Sequence, residues 1–245
     1  MLTGEPFIPE TITVHLGPPD SDAPNVTVDF PTYIKNVASS EIYPTWPESA
    51  LRANIYAIIS FVLNRVYTEW YRSRGYDFDI TSSTQFDQKF INDREIFDNI
   101  SEITDEIFNS YVVRQGNIEP LFTAFCNGTT VTCEGLSQWG TVPLAQQGLT
   151  PYEILQSFYG DDINIVMNAP VRTRTKSFPG TVLRQGEASN DVRLIQTQLN
   201  RISRNYPAIP KIPSVDGAYG VYTAAAVRAF QEIFGLPATG EVNEA

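Results

Sequence analysis

The chain has 245 residues, enough for one large domain or two smaller ones with a substantial buried core. Its 42% hydrophobic and 18% charged content excludes a disordered polymer. Charge is uneven: residues 1–169 hold 8 basic and 22 acidic side chains, residues 170–245 hold 9 basic and 6 acidic, and the acidic body argues against nucleic acid as a partner.

In chain order, Thr11 to Leu16 alternates with period two and reads as a strand, and Val26, Val28 and Phe30 repeat the pattern. Pro31 opens a helix that runs to about Glu41. An elbow follows with Tyr43, Pro44, Trp46 and Pro47, and Pro47 suits the first turn of the next helix. That helix is apolar around most of its circumference through Trp70 and is expected to stop near Gly75, so it is expected to be the central buried helix. Its most apolar run, Ile55 to Leu63, is far shorter than the roughly 20 residues of a membrane span.

Beyond Gly75 the pattern predicts a short extended piece over 76–80, a helix over 93–109, and strands over 110–113 and 118–125. Helices over 137–147 and 151–160 and a closing strand over 162–166 complete a mixed order, which indicates an α+β domain. Residues 167–182 read as a linker. A smaller, mainly helical module follows: Asn190-Asp191 cap one helix, Asp216-Gly217 form a turn, and a second helix presents Ala226, Val227, Phe230 and Phe234. Two cysteines, Cys126 and Cys133, enclose six residues. That spacing permits a hairpin disulfide, two separate thiols or, with further ligands, a metal; the only histidine, His15, is remote in sequence.

One carboxylate stands out. Glu41 falls at a helix end beside an aromatic and proline-rich elbow, an apolar setting that suits an acid in sugar chemistry. Tyr33 to Val37, Ser40-Glu41 and Trp46-Pro47-Glu48-Ser49-Ala50-Leu51-Arg52-Ala53 resemble the first motif of the stage II sporulation protein D catalytic domain. Gly135-Leu136-Ser137-Gln138-Trp139-Gly140, Ala145 to Gly148, Tyr152 to Leu155 and Tyr159-Gly160 continue the resemblance in order, so that it spans about 30–166 within a domain expected over residues 1–166. It implies a peptidoglycan lytic transglycosylase that cleaves between N-acetylmuramic acid and N-acetylglucosamine. Glu41 would be the general acid/base, with Tyr43, Trp46, Ser137, Gln138 and Trp139 binding substrate. Where the family often has a histidine, this chain has Thr132-Cys133-Glu134, so the resemblance implies neither a metal nor another cofactor.

Residues 183–245 resemble a peptidoglycan-binding type 1 domain through Leu183 to Gly186, Asn190 to Val192, Asp216 to Gly220 and Leu236 to Gly240. Peptidoglycan glycan strands are thus the implied partner, with other wall hydrolases or spore-envelope proteins as further candidates. The alternatives are a non-catalytic peptidoglycan-binding or amidase-enhancing protein and a structural component of the spore envelope. The start, Met1 to Pro6, lacks the pattern of a secretory signal, so the expected site is the cell wall or a spore envelope assembled from the mother-cell cytoplasm.

Overall fold

The computed structural model describes residues 6–131, 133–173 and 181–243. The chain forms two compact units, Met1–Arg174 and Thr175–Ala245. The first has an α+β architecture, and the second is small and mainly helical.

The first unit begins with β1 (Ile8–Pro9), β2 (Thr11–His15) and β3 (Asn25–Asp29). Alternation works as read: Ile12 and Val14 of β2 are fully buried, while β3 pairs antiparallel with it, from Thr11↔Asp29 to His15↔Asn25. His15 is structural, stacked on Phe78 at 4.6 Å with Nδ1 bonded to Asn25 and Nε2 to Ser21. Helix α1 (Phe30–Glu41) buries Phe30, Tyr33, Ile34, Val37 and Ala38, a stripe at helical spacing that faces the core.

Helix α2 (Glu48–Tyr67) is the centre of the unit. Its 20 residues span about 30 Å, and every residue from Ala53 to Arg65 is buried. Pro47 is the residue that caps α2, one position before the first turn. The helix stops at Tyr67 and not near Gly75, because Glu69 takes a left-handed φ of 51° that ends the hydrogen-bond ladder. Then come β4 (Ile80–Thr81), parallel to β2, and α3 (Asp98–Ile107). The helix expected from residue 93 starts five residues later, after Asp93 at φ 59°.

Next, β5 (Tyr111–Arg114) leads into a stretch where the expected 118–125 strand is mostly irregular, leaving only β6 (Phe125–Cys126). Its backbone groups find other partners: Leu121 N–H bonds the Val112 carbonyl, and Asn64 Nδ2 bonds the Pro120 carbonyl. Residues 136–137 form β7 (Leu136–Ser137), parallel to β6, so the helix expected from 137 is shortened to α4 (Thr141–Gln146). Helix α5 (Pro151–Tyr159) has a full capping box between Thr150 and Glu153, and β8 (Ile163–Val166) closes antiparallel on β5.

The segment read as linker from 167 starts inside this unit. Ala169 is buried, and β9 (Val171–Arg172) pairs parallel with β1. A two-residue pairing held by backbone groups leaves no side-chain period to read. Residues 174–180 of that stretch lie outside the described residues.

In the second unit, α6 (Asn190–Ile202) is capped by Ser189, whose hydroxyl accepts the Val192 N–H; the cap falls one residue before the expected Asn190-Asp191 pair. Helix α7 (Val221–Ile233) packs on α6 over Leu183, Val192, Leu199, Tyr219, Ala226 and Val227. Buried Gln196 ties the two helices to the turn between them: its Nε2 donates to the Ala218 carbonyl and Thr223, and its Oε1 accepts the Gly217 N–H. Gly217 needs to be glycine. Its φ is 82°, and a Cβ would stand 2.9 Å from the Ser189 carbonyl oxygen.

Candidate functional site

Glu41 is the last residue of α1, and the extended Ile42 ends the helix. The carboxylate is partly buried, and each oxygen has one donor. Oε1 accepts the backbone N–H of Lys89 at 2.8 Å, and Oε2 accepts Gln138 Nε2 at 3.2 Å, across 97 residues of sequence. Two connections far from α1 therefore hold one side chain in a single orientation.

The first connection is the irregular loop over 82–97. It is fastened along the polar face of α1: Asn36 exchanges two bonds with Ile91, through Ile91 N–H to Oδ1 at 3.0 Å and Nδ2 to the carbonyl at 2.7 Å. Arg94 donates to Ser40 Oγ at 3.0 Å and Phe97 N–H to Ser39 Oγ at 3.3 Å. Beneath it, Tyr33 donates to Gln88; burial, then the negative charges of Asp87 and Glu41, push the Tyr33 phenol well above its ordinary range. No periodicity marks this loop, and sequence reasoning missed it. The signal was the run of small polar residues Asn36, Ser39 and Ser40 on an otherwise core-facing helix.

The second connection is the Ser137-Gln138-Trp139 turn. Gln138 is 2% exposed, and its backbone N–H bonds the Cys126 carbonyl at 2.9 Å. Ser137 Oγ accepts the Gly140 N–H at 3.0 Å and is packed so closely that a Cβ on Gly128 would meet it at 1.8 Å. Its hydroxyl serves the turn. Cys126 and Cys133 are joined by a disulfide, with Cα atoms 6.1 Å apart, which closes the loop beside β6 and β7. Thr132 within that loop lies outside the described residues.

Three rings stand over the elbow. Trp46 is buried; Tyr43 and Trp139 are exposed. Their centroids are 5.8 Å (Tyr43–Trp46), 5.5 Å (Tyr43–Trp139) and 4.9 Å (Trp46–Trp139) apart. Trp46 is thus a floor, and the other two present ring surface to solvent, as aromatic sugar contacts require. Trp46 and Leu51 also line an open hollow of about 260 Å³ with Arg52, Asn99, Glu102 and Glu106. The structure therefore brings Glu41, Tyr43, Trp46, Gln138 and Trp139 into one corner, while Ser137 supports it from behind. Glu134 is an exposed turn residue. Among the described residues no group of three or more His, Cys, Asp or Glu side chains is placed to hold a metal ion.

The second unit has an apolar hollow of about 140 Å³ between α6 and α7, lined by Ile195, Leu199, Ile202, Phe230, Leu236 and Val242 among others. Residues 188–245 match the family model described as "Putative peptidoglycan binding domain". The match supports a C-terminal peptidoglycan-binding domain, with peptidoglycan as the partner it would take. No curated protein and no solved structure matches the chain. Among the described residues no helix is long and apolar enough to cross a membrane.

Proposed function

We propose that residues 1–166 form a peptidoglycan lytic transglycosylase domain and that the 183–245 module holds it on the wall. The reading draws on the resemblance to stage II sporulation protein D. The observation that carries it is the fixed Glu41 carboxylate beside the Tyr43–Trp46–Trp139 rings. A transglycosylase needs one such group. The carboxylic acid first gives its proton to the departing glycosidic oxygen. Then, ionised, it takes a proton from the sugar's own hydroxyl as that oxygen closes on the anomeric carbon, leaving an anhydro end. No second carboxylate is needed to activate water, in contrast to paired-carboxylate hydrolases. Tyr43 and Trp139 would stack on sugar faces, while Gln138, which the sequence assigned to substrate, would act on Glu41 instead. The binding module raises the effective concentration of the acid at an insoluble substrate without tight monovalent affinity. A role in sporulation or wall remodelling follows from the same resemblance.

The test uses purified glycan strands and mass spectrometry. Wild-type protein is expected to release anhydro-muropeptides, and Glu41→Gln is expected to release none. A wild type that makes no product overturns the enzymatic reading and leaves a peptidoglycan-binding protein.

A further inference from the structure

Helix α2 is apolar almost throughout its buried length, yet it carries Asn54, 2% exposed, in its middle. Both hydrogens of the Asn54 amide are used. One goes to the Ala50 carbonyl one turn back at 2.8 Å, and the other crosses 87 residues of sequence to Thr141 Oγ1 at 3.0 Å. Thr141 is fully buried, and its hydroxyl donates to the Gln138 carbonyl at 2.6 Å. Gln138 Nε2 in turn donates to Glu41.

The directions of the bonds at Thr141 and Asn54 are fixed. A carbonyl can only accept, so the Thr141 hydrogen points to Gln138 and its lone pair is left for Asn54. The Ala50 carbonyl fixes which end of the Asn54 amide is nitrogen. A hydrophobic side chain at either place would cut this side-chain tie between α2 and the turn, while the turn's own backbone bonds remain. The chain Asn54–Thr141–Gln138–Glu41 therefore transmits the position of the rigid central helix to one carboxylate oxygen.

We propose that Asn54 and Thr141 are positioning residues for Glu41, acting through Gln138. The inference rests on Glu41 being the acid/base, and its test separates the two. In the full chain, Thr141→Val is expected to lower kcat about tenfold or more with KM within about twofold, because only the orientation of the acid is disturbed. Thr141→Ser keeps the hydroxyl and is expected to restore most of the rate.

A second readout needs no activity: the Gln138 side-chain amide resonances, assigned by their loss of the carboxylate contact in Glu41→Gln. They should shift in Thr141→Val and in Asn54→Leu and return in Thr141→Ser. Unmoved resonances in Thr141→Val and Asn54→Leu overturn the proposal, as does a serine variant as slow as the valine one. Resonances that shift in the variants while wild type makes no anhydro product uphold the positioning chain and overturn the transglycosylase reading alone. Should Thr141→Val not fold, Asn54→Leu decides by the same two readouts.

Discussion

Two carboxylates at opposite ends of α2 are held in opposite ways. Asp87, near the C-terminal end, has a fully buried side chain and accepts from Arg65 Nε at 3.0 Å, Tyr71 Oη at 2.5 Å, Thr81 N–H at 3.0 Å and Thr81 Oγ1 at 2.7 Å. Burial, followed by the bond to Asp87, pushes the Tyr71 phenol far up, and Arg65 lies between the faces of Trp70 and Phe122, 4.5 and 4.8 Å from their centroids. Glu41, near the N-terminal end, has two donors, partial exposure and aromatic surface beside it. A carboxylate that accepts four bonds out of water serves the fold. One fixed by two bonds keeps part of its surface open to solvent.

The largest expected effect is at the closed end. Asp87→Ala strands the Arg65 charge in the interior and is expected to cost about 3–5 kcal/mol in denaturant unfolding. A loss under 1 kcal/mol would mean that Asp87 is no more structural than Glu41, and the contrast would fail. Replacing both Cys126 and Cys133 by serine opens a loop of eight residues, for which chain entropy gives about 2.5 kcal/mol. That loss should appear in chemical unfolding and loosen the Gln138 turn, leaving the Asp87 corner unchanged in hydrogen exchange. The helix that follows the Gln138 turn and α4 is capped by Thr150, and Thr150→Ala is expected to cost about 1 kcal/mol in the same measurement. Smallest is Thr104→Val: the buried Thr104 hydroxyl has no hydrogen-bond partner among the described residues, so its replacement by a methyl should leave stability unchanged or raise it by up to about 1 kcal/mol.

The binding module gives a pH test with a defined sign. The Ala218 backbone N–H, then the Gln196 side chain, hold the Asp216 carboxyl below its ordinary value. A carboxyl depressed in the folded state stabilises above its unfolded pKa of about 3.9, and the contribution is lost as pH falls through the folded value. Asp216→Asn should flatten that part of the acid-unfolding curve of the second unit. An unchanged curve would remove Asp216 from the turn's stability.

Much of this was legible in the sequence where burial imposes a period. The α1 stripe from Phe30 to Ala38, the apolar α2, the Glu41 elbow and the two helices of the binding module all announce themselves through spacing. What escaped is held by bonds with no period. The β1–β9 pairing uses two residues from each end of the first unit, and the 82–97 loop is held on α1 by Asn36, Ser39 and Ser40. Gln138 was picked out, with Ser137 and Trp139, as a sugar contact facing Glu41; its direct bond to the Glu41 carboxylate is what the structure adds. Local positive-φ residues, Glu69 and Asp93, moved the helix ends for the same reason: backbone geometry at one residue overrides propensity summed over many.

The most direct test measures both carboxylates in one experiment: anhydro-muropeptide release from glycan strands together with thermal unfolding, for wild type, Glu41→Gln and Asp87→Asn. Glu41→Gln is expected to keep its stability and lose product by at least about 10²-fold, while Asp87→Asn loses stability first. Equal product from wild type and Glu41→Gln would contradict it.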